Sequence, residues 1–79
     1  MLTIYKNQDF ELFPDATEIF VESDCEINDG DAVLVEITGR RECRFAWREN
    51  CGFRFEHPNR ETRYEAKIIG RIMMYAVEL

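Results

Sequence analysis

The sequence predicts an all-β fold, a small twisted sheet or partly closed barrel of five to seven short strands. Apolar and polar residues alternate with a period of two along much of the chain, as in strands that bury one face. The apolar positions are rich in β-branched and aromatic residues, which pack well on a pleated surface. Short segments that contain glycine, proline or asparagine separate these runs and predict the turns.

The N-terminal half predicts three strands, at residues 2–5, 17–22 and 32–37, the first of them a short edge strand. The third strand follows the turn Asp29-Gly30-Asp31 directly. Gly30 can take the positive φ that such a turn needs, because it lacks a Cβ. The carboxylates on either side can accept hydrogen bonds from free backbone N–H groups of the turn. We therefore expect a tight turn into a buried strand.

Residues 43–48 and 53–56 predict a β-hairpin that follows a turn at residues 38–40. Apolar residues alternate with arginine or glutamate on both arms, which predicts one buried and one solvated face. We expect the large apolar residues of both arms to share the buried face, namely Cys43, Phe45, Trp47, Phe53 and Phe55. These aromatic residues are interpreted as core rather than as a platform for stacking nucleic-acid bases, because a small domain needs its large apolar groups inside.

Residues 67–77 are apolar on both alternating sets. A strand buried on both faces explains this pattern, and Gly70 with its β-branched neighbours favours a strand over a helix. An apolar last strand at the edge of a sheet would be expected to pair with another chain.

The length of 79 residues predicts one domain, residues 1–79. No apolar run approaches the roughly 20 residues of a membrane span, and the N-terminus lacks the pattern of a signal peptide. The three cysteines, Cys25, Cys43 and Cys51, are an odd number without zinc-ligand spacing, so we expect reduced thiols and neither metal nor cofactor. A cytoplasmic protein without membrane contact is the resulting expectation.

The formal charge of −6 argues against direct nucleic-acid binding. Its distribution is uneven. Residues 1–39 carry ten acidic residues against one lysine, whereas residues 40–79 carry nine basic residues against six glutamates. Two interpretations remain open. Acidic and basic strands pair within one sheet, or the two-sided charge favours complementary self-association.

Several segments in a consistent order resemble the C-terminal domain of LexA and lambda-type phage repressors, which are self-cleaving Ser/Lys peptidases. The family shows an apolar strand, Gly-Asp-Ser-Met, a short loop, Asp-Gly-Asp with an apolar strand, a late hairpin and a closing Ile-Ile-Gly-Arg strand. The similar segments here are residues 16–22, 23–26, 27–35, 43–59 and 68–73. The resemblance covers residues from about 12 to 77 and implies the same all-β architecture.

The catalytic positions depart from the family pattern. Cys25 stands where the family has its nucleophilic serine, unless the register shifts to Ser23. Arg44 is the basic residue nearest the position of the general-base lysine. Arginine stays protonated in proteins and cannot act as that base. We therefore expect no self-cleavage.

The resemblance implies a non-catalytic module for oligomerisation or protein interaction in transcriptional regulation, as a homodimer or with a protein partner. It points to interface residues in the closing strand, namely Ile72, Met74, Tyr75 and Val77. Two alternatives remain. One is a variant of the peptidase with Cys25 as nucleophile. The other is a phage or mobile-element protein that binds a host regulator through its acidic half.

Overall fold

In the computed structural model, residues 1–6 and 12–78 are described, and their regular secondary structure is entirely β. Seven strands form a single antiparallel sheet in the order β1-β2-β7-β3-β4-β5-β6, which is open and has β1 and β6 as its edges. The predicted all-β twisted sheet is confirmed. The strands are β1 (Leu2–Lys6), β2 (Ala16–Glu22), β3 (Asp31–Ile37), β4 (Arg40–Glu49), β5 (Gly52–His57), β6 (Arg60–Arg63) and β7 (Lys67–Val77).

The last strand lies in the middle of the sheet. β7 pairs antiparallel with β2 on one side and with β3 on the other. The expectation that this strand lies at an edge is wrong. An edge position would leave the backbone N–H and C=O groups of an 11-residue apolar strand without ladder partners. Because β7 lies between two strands, backbone groups on both of its sides have ladder partners.

Gly70 permits the insertion of β7. A Cβ at this position would lie 2.5 Å from the Glu22 carbonyl oxygen and 2.7 Å from Val21 Cγ1. Both neighbours belong to β2, so the two strands approach each other more closely than a side chain allows. The glycine that interrupts the apolar pattern of this strand therefore marks a position where two backbones lie close together.

The core is divided between the two faces of the sheet. Along β3, Val33 and Val35 point to one face, and Leu34 points to the other; all three are fully buried. The first cluster contains the buried residues Ile27, Val33, Val35, Ile37, Ala46 and Phe55. The second contains Ile19, Val21, Leu34 and Cys43, with Tyr5, Leu12, Phe13, Ala16, Ile69 and Ile72 packed against it. β3 and β4 thus each contribute buried residues to both clusters.

The hairpin β4–β5 does not gather its apolar residues on one face. Its two-residue turn pairs Glu49 with Gly52, so that Ala46 stands opposite Phe55 and Trp47 opposite Arg54. Directly paired residues share a face. Phe53 and Phe55 therefore lie on the face of Ala46, whereas Cys43, Phe45 and Trp47 lie on the other. The expectation of one common apolar face is wrong because that turn shifts the parity of the second arm.

The Asp29-Gly30-Asp31 turn has the predicted geometry. Gly30 has a φ of 86°, and its N–H donates to the Ala46 carbonyl at 2.8 Å. Asp31 Oδ2 accepts from the Asn28 N–H at 2.8 Å, and Asp29 Oδ1 accepts from the Arg48 N–H at 2.6 Å. The Asp31 carboxylate thus stabilises the turn itself, and the Asp29 carboxylate attaches the turn to β4.

Replacing Gly70 with alanine is expected to destabilise the protein by at least about 2 kcal/mol, because the new methyl group overlaps backbone atoms of β2. The matched control is Gly52→Ala, where a Cβ meets nothing within 4 Å and the effect is expected to stay within about 1 kcal/mol. Urea unfolding measured by circular dichroism compares the two. Equal midpoints for both variants would contradict the close approach.

Candidate interaction surface

Exposed apolar side chains are concentrated on two strands. The described residues include eight large hydrophobic side chains that are exposed. Apart from Tyr64, they all belong to β1, to β7 or to Met1, which precedes β1. Met74 is 61% exposed, Leu2 57% and Ile4 49%. Single exposed apolar residues are normal in soluble proteins, but contiguous groups of them mark contact surfaces.

The strand registers place four of these exposed side chains on one face, together with the half-buried Phe20. Ile4 pairs with Phe20, and Phe20 pairs with Met74, so the three form a row across β1, β2 and β7. Leu2 lies two residues from Ile4 and shares its face. Met73 occupies the β-bulge, and its Sδ accepts from Arg71 Nε at 3.2 Å, which places it on the same side. We call this surface of Leu2, Ile4, Phe20, Met73 and Met74 the open face.

The opposite face of the same three strands is covered. Tyr5 pairs with Ile19, and Ile19 pairs with Tyr75. The Phe13 ring stacks on the Tyr75 ring with centroids 4.8 Å apart, and Phe13 also packs against the buried cluster of Ile19. On this covered side, Tyr75 and Val77 near the end of β7 remain 49% and 43% exposed.

Charged residues border the open face at both ends. Lys6 pairs with Glu18 at one end, and Glu22 pairs with Arg71 at the other. Arg71 Nη1 lies 3.7 Å from Asp31 Oδ2, and the Arg71 side chain keeps 29% of its surface exposed. The rim therefore carries charges of both signs at each end.

The Met1 ammonium lies at the N-terminal end of β1, beside Glu22 of β2. It donates to Asp24 Oδ2 at 2.7 Å and to Glu22 Oε1 at 2.9 Å. Both hydrogen bonds raise the pKa of the ammonium, and the one to Asp24 has the larger effect. The hydrogen bond between the ammonium and Asp24 also lowers the pKa of Asp24.

The four interface residues suggested by the sequence do not share one surface. Met74 lies on the open face. Ile72 pairs with Val21 and packs in the second core cluster, and Tyr75 is stacked by Phe13. Val77 pairs with Ala16 on the covered side and is 43% exposed. Reasoning from the sequence missed Leu2, Ile4 and Phe20, although the alternation in residues 2–6 and 18–22 could have found them.

The two degenerate catalytic positions have different partners. Cys25 is half-buried, and its Sγ donates to the Glu22 carbonyl at 3.4 Å. Arg44 is 2% exposed and contacts Glu42 and the backbone of β5 and β6. Arg44 therefore has a structural role.

Arg44 attaches the edge strand β6 to the sheet. Its Nη1 donates to the Glu61 carbonyl at 2.6 Å and to the Phe55 carbonyl at 3.3 Å, beside the irregularity in the β5–β6 ladder. Its Nη2 lies 3.1 Å from Glu42 Oε1, which also receives Arg60 Nη1 at 3.3 Å. Alternation predicted Arg44 on a solvated face, and this expectation is wrong, because the guanidinium is neutralised and hydrogen-bonded inside.

Comparisons with protein-family models, with curated proteins and with solved structures give no significant match for this chain. Among residues 1–6 and 12–78, no three His, Cys, Asp or Glu side chains are grouped so as to hold a metal ion. The same part of the chain has no helix with the length and apolar character to span a membrane.

Replacing Arg44 with methionine is expected to destabilise the protein by about 3 kcal/mol, because it leaves the Glu42 carboxylate buried with half of its cations removed. Adding Glu42→Leu to Arg44→Met removes that charge and should recover part of the lost stability. Arg63→Met, at an exposed site on the same edge strand, is the control. Urea unfolding tests the set, and a double variant less stable than Arg44→Met would refute this role.

Cys51 is expected to react first with iodoacetamide near neutral pH, because it is exposed in the β4–β5 turn. Cys25 should follow slowly, and the buried Cys43 should react last. Peptide mass spectrometry over time, in the wild type and in Cys51→Ser, gives the three rates. Faster labelling of Cys25 than of Cys51 would indicate an activated nucleophile and favour the peptidase variant.

Proposed function

We propose that this chain is a non-catalytic association module that forms a homodimer through the open face. The observation that carries the proposal is the row of Ile4, Phe20 and Met74 on the solvent side of the sheet. Burying large apolar side chains is the main favourable contribution to protein association. Methionine adds adaptable packing at such surfaces.

The resemblance to LexA-type C-terminal domains supports the same function. In that family the domain makes the repressor dimeric, and the closing strand contributes to the contact. The matching segment here is β7, which supplies Met73 and Met74 to the open face. On this basis we propose a role in transcriptional regulation, in which a partner or another domain supplies the contact with DNA.

The partners of Cys25 and Arg44 support the non-catalytic part of the proposal. A nucleophile and its base must lie within hydrogen-bond reach of each other. Here the thiol donates to a backbone carbonyl of β2, and the guanidinium is occupied by Glu42 and by carbonyls of Phe55 and Glu61. Neither group is arranged to activate the other.

The size of the open face predicts a weak dimer. Three strands about 4.8 Å apart and five residues long cover a flat area of roughly 240 Å². A standard stable interface buries about 800 Å² on each partner. The open face thus forms the apolar centre of a small interface, and the association should depend on protein concentration.

Replacing Met74 with glutamate is expected to raise the dimer dissociation constant by at least about tenfold, because each interface then buries two carboxylates without partners. Sedimentation equilibrium from about 10 µM to about 1 mM covers the weak affinity expected for a small interface. Tyr64→Glu is the matched control, since Tyr64 is 67% exposed and lies outside the open face.

A wild type that stays monomeric over this whole range would overturn the proposed function. So would a dimer that Tyr64→Glu splits and Met74→Glu leaves intact. In both variants the far-ultraviolet circular dichroism spectrum should match that of the wild type, because both side chains are exposed.

A further inference from the structure

We infer that the outer edge of β1 pairs antiparallel with β1 of a second copy, so that Ile4 of each chain lies opposite Ile4 of the other. The two sheets then continue into one another about a two-fold axis perpendicular to the sheet. This contact goes beyond the proposed homodimer, because backbone groups at the sheet edge form it and the side chains of the open face do not. It is a second contact between copies of this chain.

The two edges of the sheet differ in their protection against strand addition. Among the described strands, β1 pairs with β2 alone and β6 with β5 alone. β6 has four residues, of which Arg60, Glu61 and Arg63 are charged. Short and charged edge strands resist the addition of another strand. β1 has five residues and no charged side chain from Leu2 to Tyr5. Its sequence therefore leaves this edge open to pairing.

The ladder between β1 and β2 determines which backbone groups face the outer side. The Ser23 N–H donates to the Met1 carbonyl at 3.2 Å, in the same register that pairs Leu2 with Glu22. Met1 and Ser23 are therefore a hydrogen-bonded pair, and such pairs alternate with non-hydrogen-bonded pairs along an antiparallel ladder. Every second residue of β1, counted from Leu2, thus directs its N–H and C=O groups away from β2. These outward residues are Leu2, Ile4 and Lys6.

One register of β1 against itself brings all three outward residues into a ladder. With Ile4 on the two-fold axis, Leu2 lies opposite Lys6 of the second copy, and the same pair recurs with the chains exchanged because the contact is isologous. In each of these pairs, both residues donate an N–H to the carbonyl of the other. A shift by two residues in either direction takes one outward residue out of the ladder. A shift by one residue sets outward groups against groups that already bond to β2.

The charges at the N-terminal end of β1 favour the same register. The Met1 ammonium lies 2.9 Å from Glu22 Oε1 and 2.7 Å from Asp24 Oδ2. These contacts direct the ammonium toward β2 and away from the outer edge. One ammonium and two carboxylates leave this end with an excess of negative charge. The register above places Lys6 of the second copy beside Leu2, at this end. Opposite charges thus approach each other twice in the paired edges, which favours association.

Pairing of the edges also places two open faces side by side. A two-fold axis perpendicular to the sheet keeps the same face of both copies on one side, where the two Ile4 side chains meet. The order of strands across the axis is then β7-β2-β1-β1-β2-β7. The continuous apolar surface doubles to roughly 480 Å². The edge contact is the weaker of the two contacts, because its hydrogen bonds replace hydrogen bonds to water and it buries little apolar surface.

Isotope-filtered nuclear magnetic resonance on labelled and unlabelled wild type, mixed at about 1 mM, tests the register without any variant. Residues of a non-hydrogen-bonded pair lie closest together, which brings their Hα atoms into contact. The register makes Thr3 and Tyr5 of the second copy such a pair, so their Hα atoms should show a contact between chains. The matched control is the Hα contact of Ile4 with Phe20, which should appear within one chain only. Absence of the Thr3–Tyr5 contact would overturn the inference, and contacts between chains at Met74 would still support the proposed homodimer. The reverse result would support the edge contact and overturn that homodimer.

Two variants at the two-fold axis test the backbone contact, both in a chain that carries Met74→Glu to weaken the open-face contact. Ile4→Pro removes the outward N–H and adds a ring on the outer side, while the ladder to β2 does not use this N–H. Ile4→Ala is the matched control, since it removes the same apolar side chain and keeps the N–H. In sedimentation equilibrium up to about 1 mM, Ile4→Pro should associate at least about tenfold more weakly than Ile4→Ala. Equal association of the two variants would overturn the inference.

Discussion

The approach of β7 to β2 at Gly70 is the constraint on which the rest of this sheet depends. Without a Cβ, the backbone of β7 passes close enough to Val21 and Glu22 to be hydrogen-bonded between β2 and β3. That insertion joins the hairpin of β1 and β2 to the meander of β3 to β6. The second core cluster and the open face follow from it, because each contains residues from strands that β7 brings together.

The division of the core between two faces explains the exposed apolar surface. On one face, the first cluster fills the space beside β3, β4 and β5. On the other, the second cluster lies among β1, β2, β3 and β7 under Leu12 and Phe13. β3 is buried on both faces, whereas β1, β2 and β7 are covered on the face of the second cluster. The remaining side of β1, β2 and β7 is the open face, and its apolar residues are available for a second chain.

The sequence predicted the strands well because alternation and turn residues are local. Residues that are close in sequence are enough to predict the turn at Gly30, the edge strand β1 and the paired arms of the hairpin. Features set by strand order could not be predicted in this way. The pairing of Glu49 with Gly52 decides which face Phe55 occupies, and a single residue of shift reverses it. The position of Met74 beside Phe20 and Ile4 depends on the same kind of information, since it requires β7 to pair with β2.

The central position of β7 also sets the order in which the chain can fold. During synthesis the ribosome releases β7 after every strand it pairs with. The β1–β2 hairpin and the β3–β6 meander can form from contacts between consecutive strands, but among the described residues no strand pairing links them until β7 emerges. Before that moment the facing edges of β2 and β3 are open templates for wrong pairing. Completion of the sheet therefore depends on contacts between distant parts of the chain, and such contacts make folding slow.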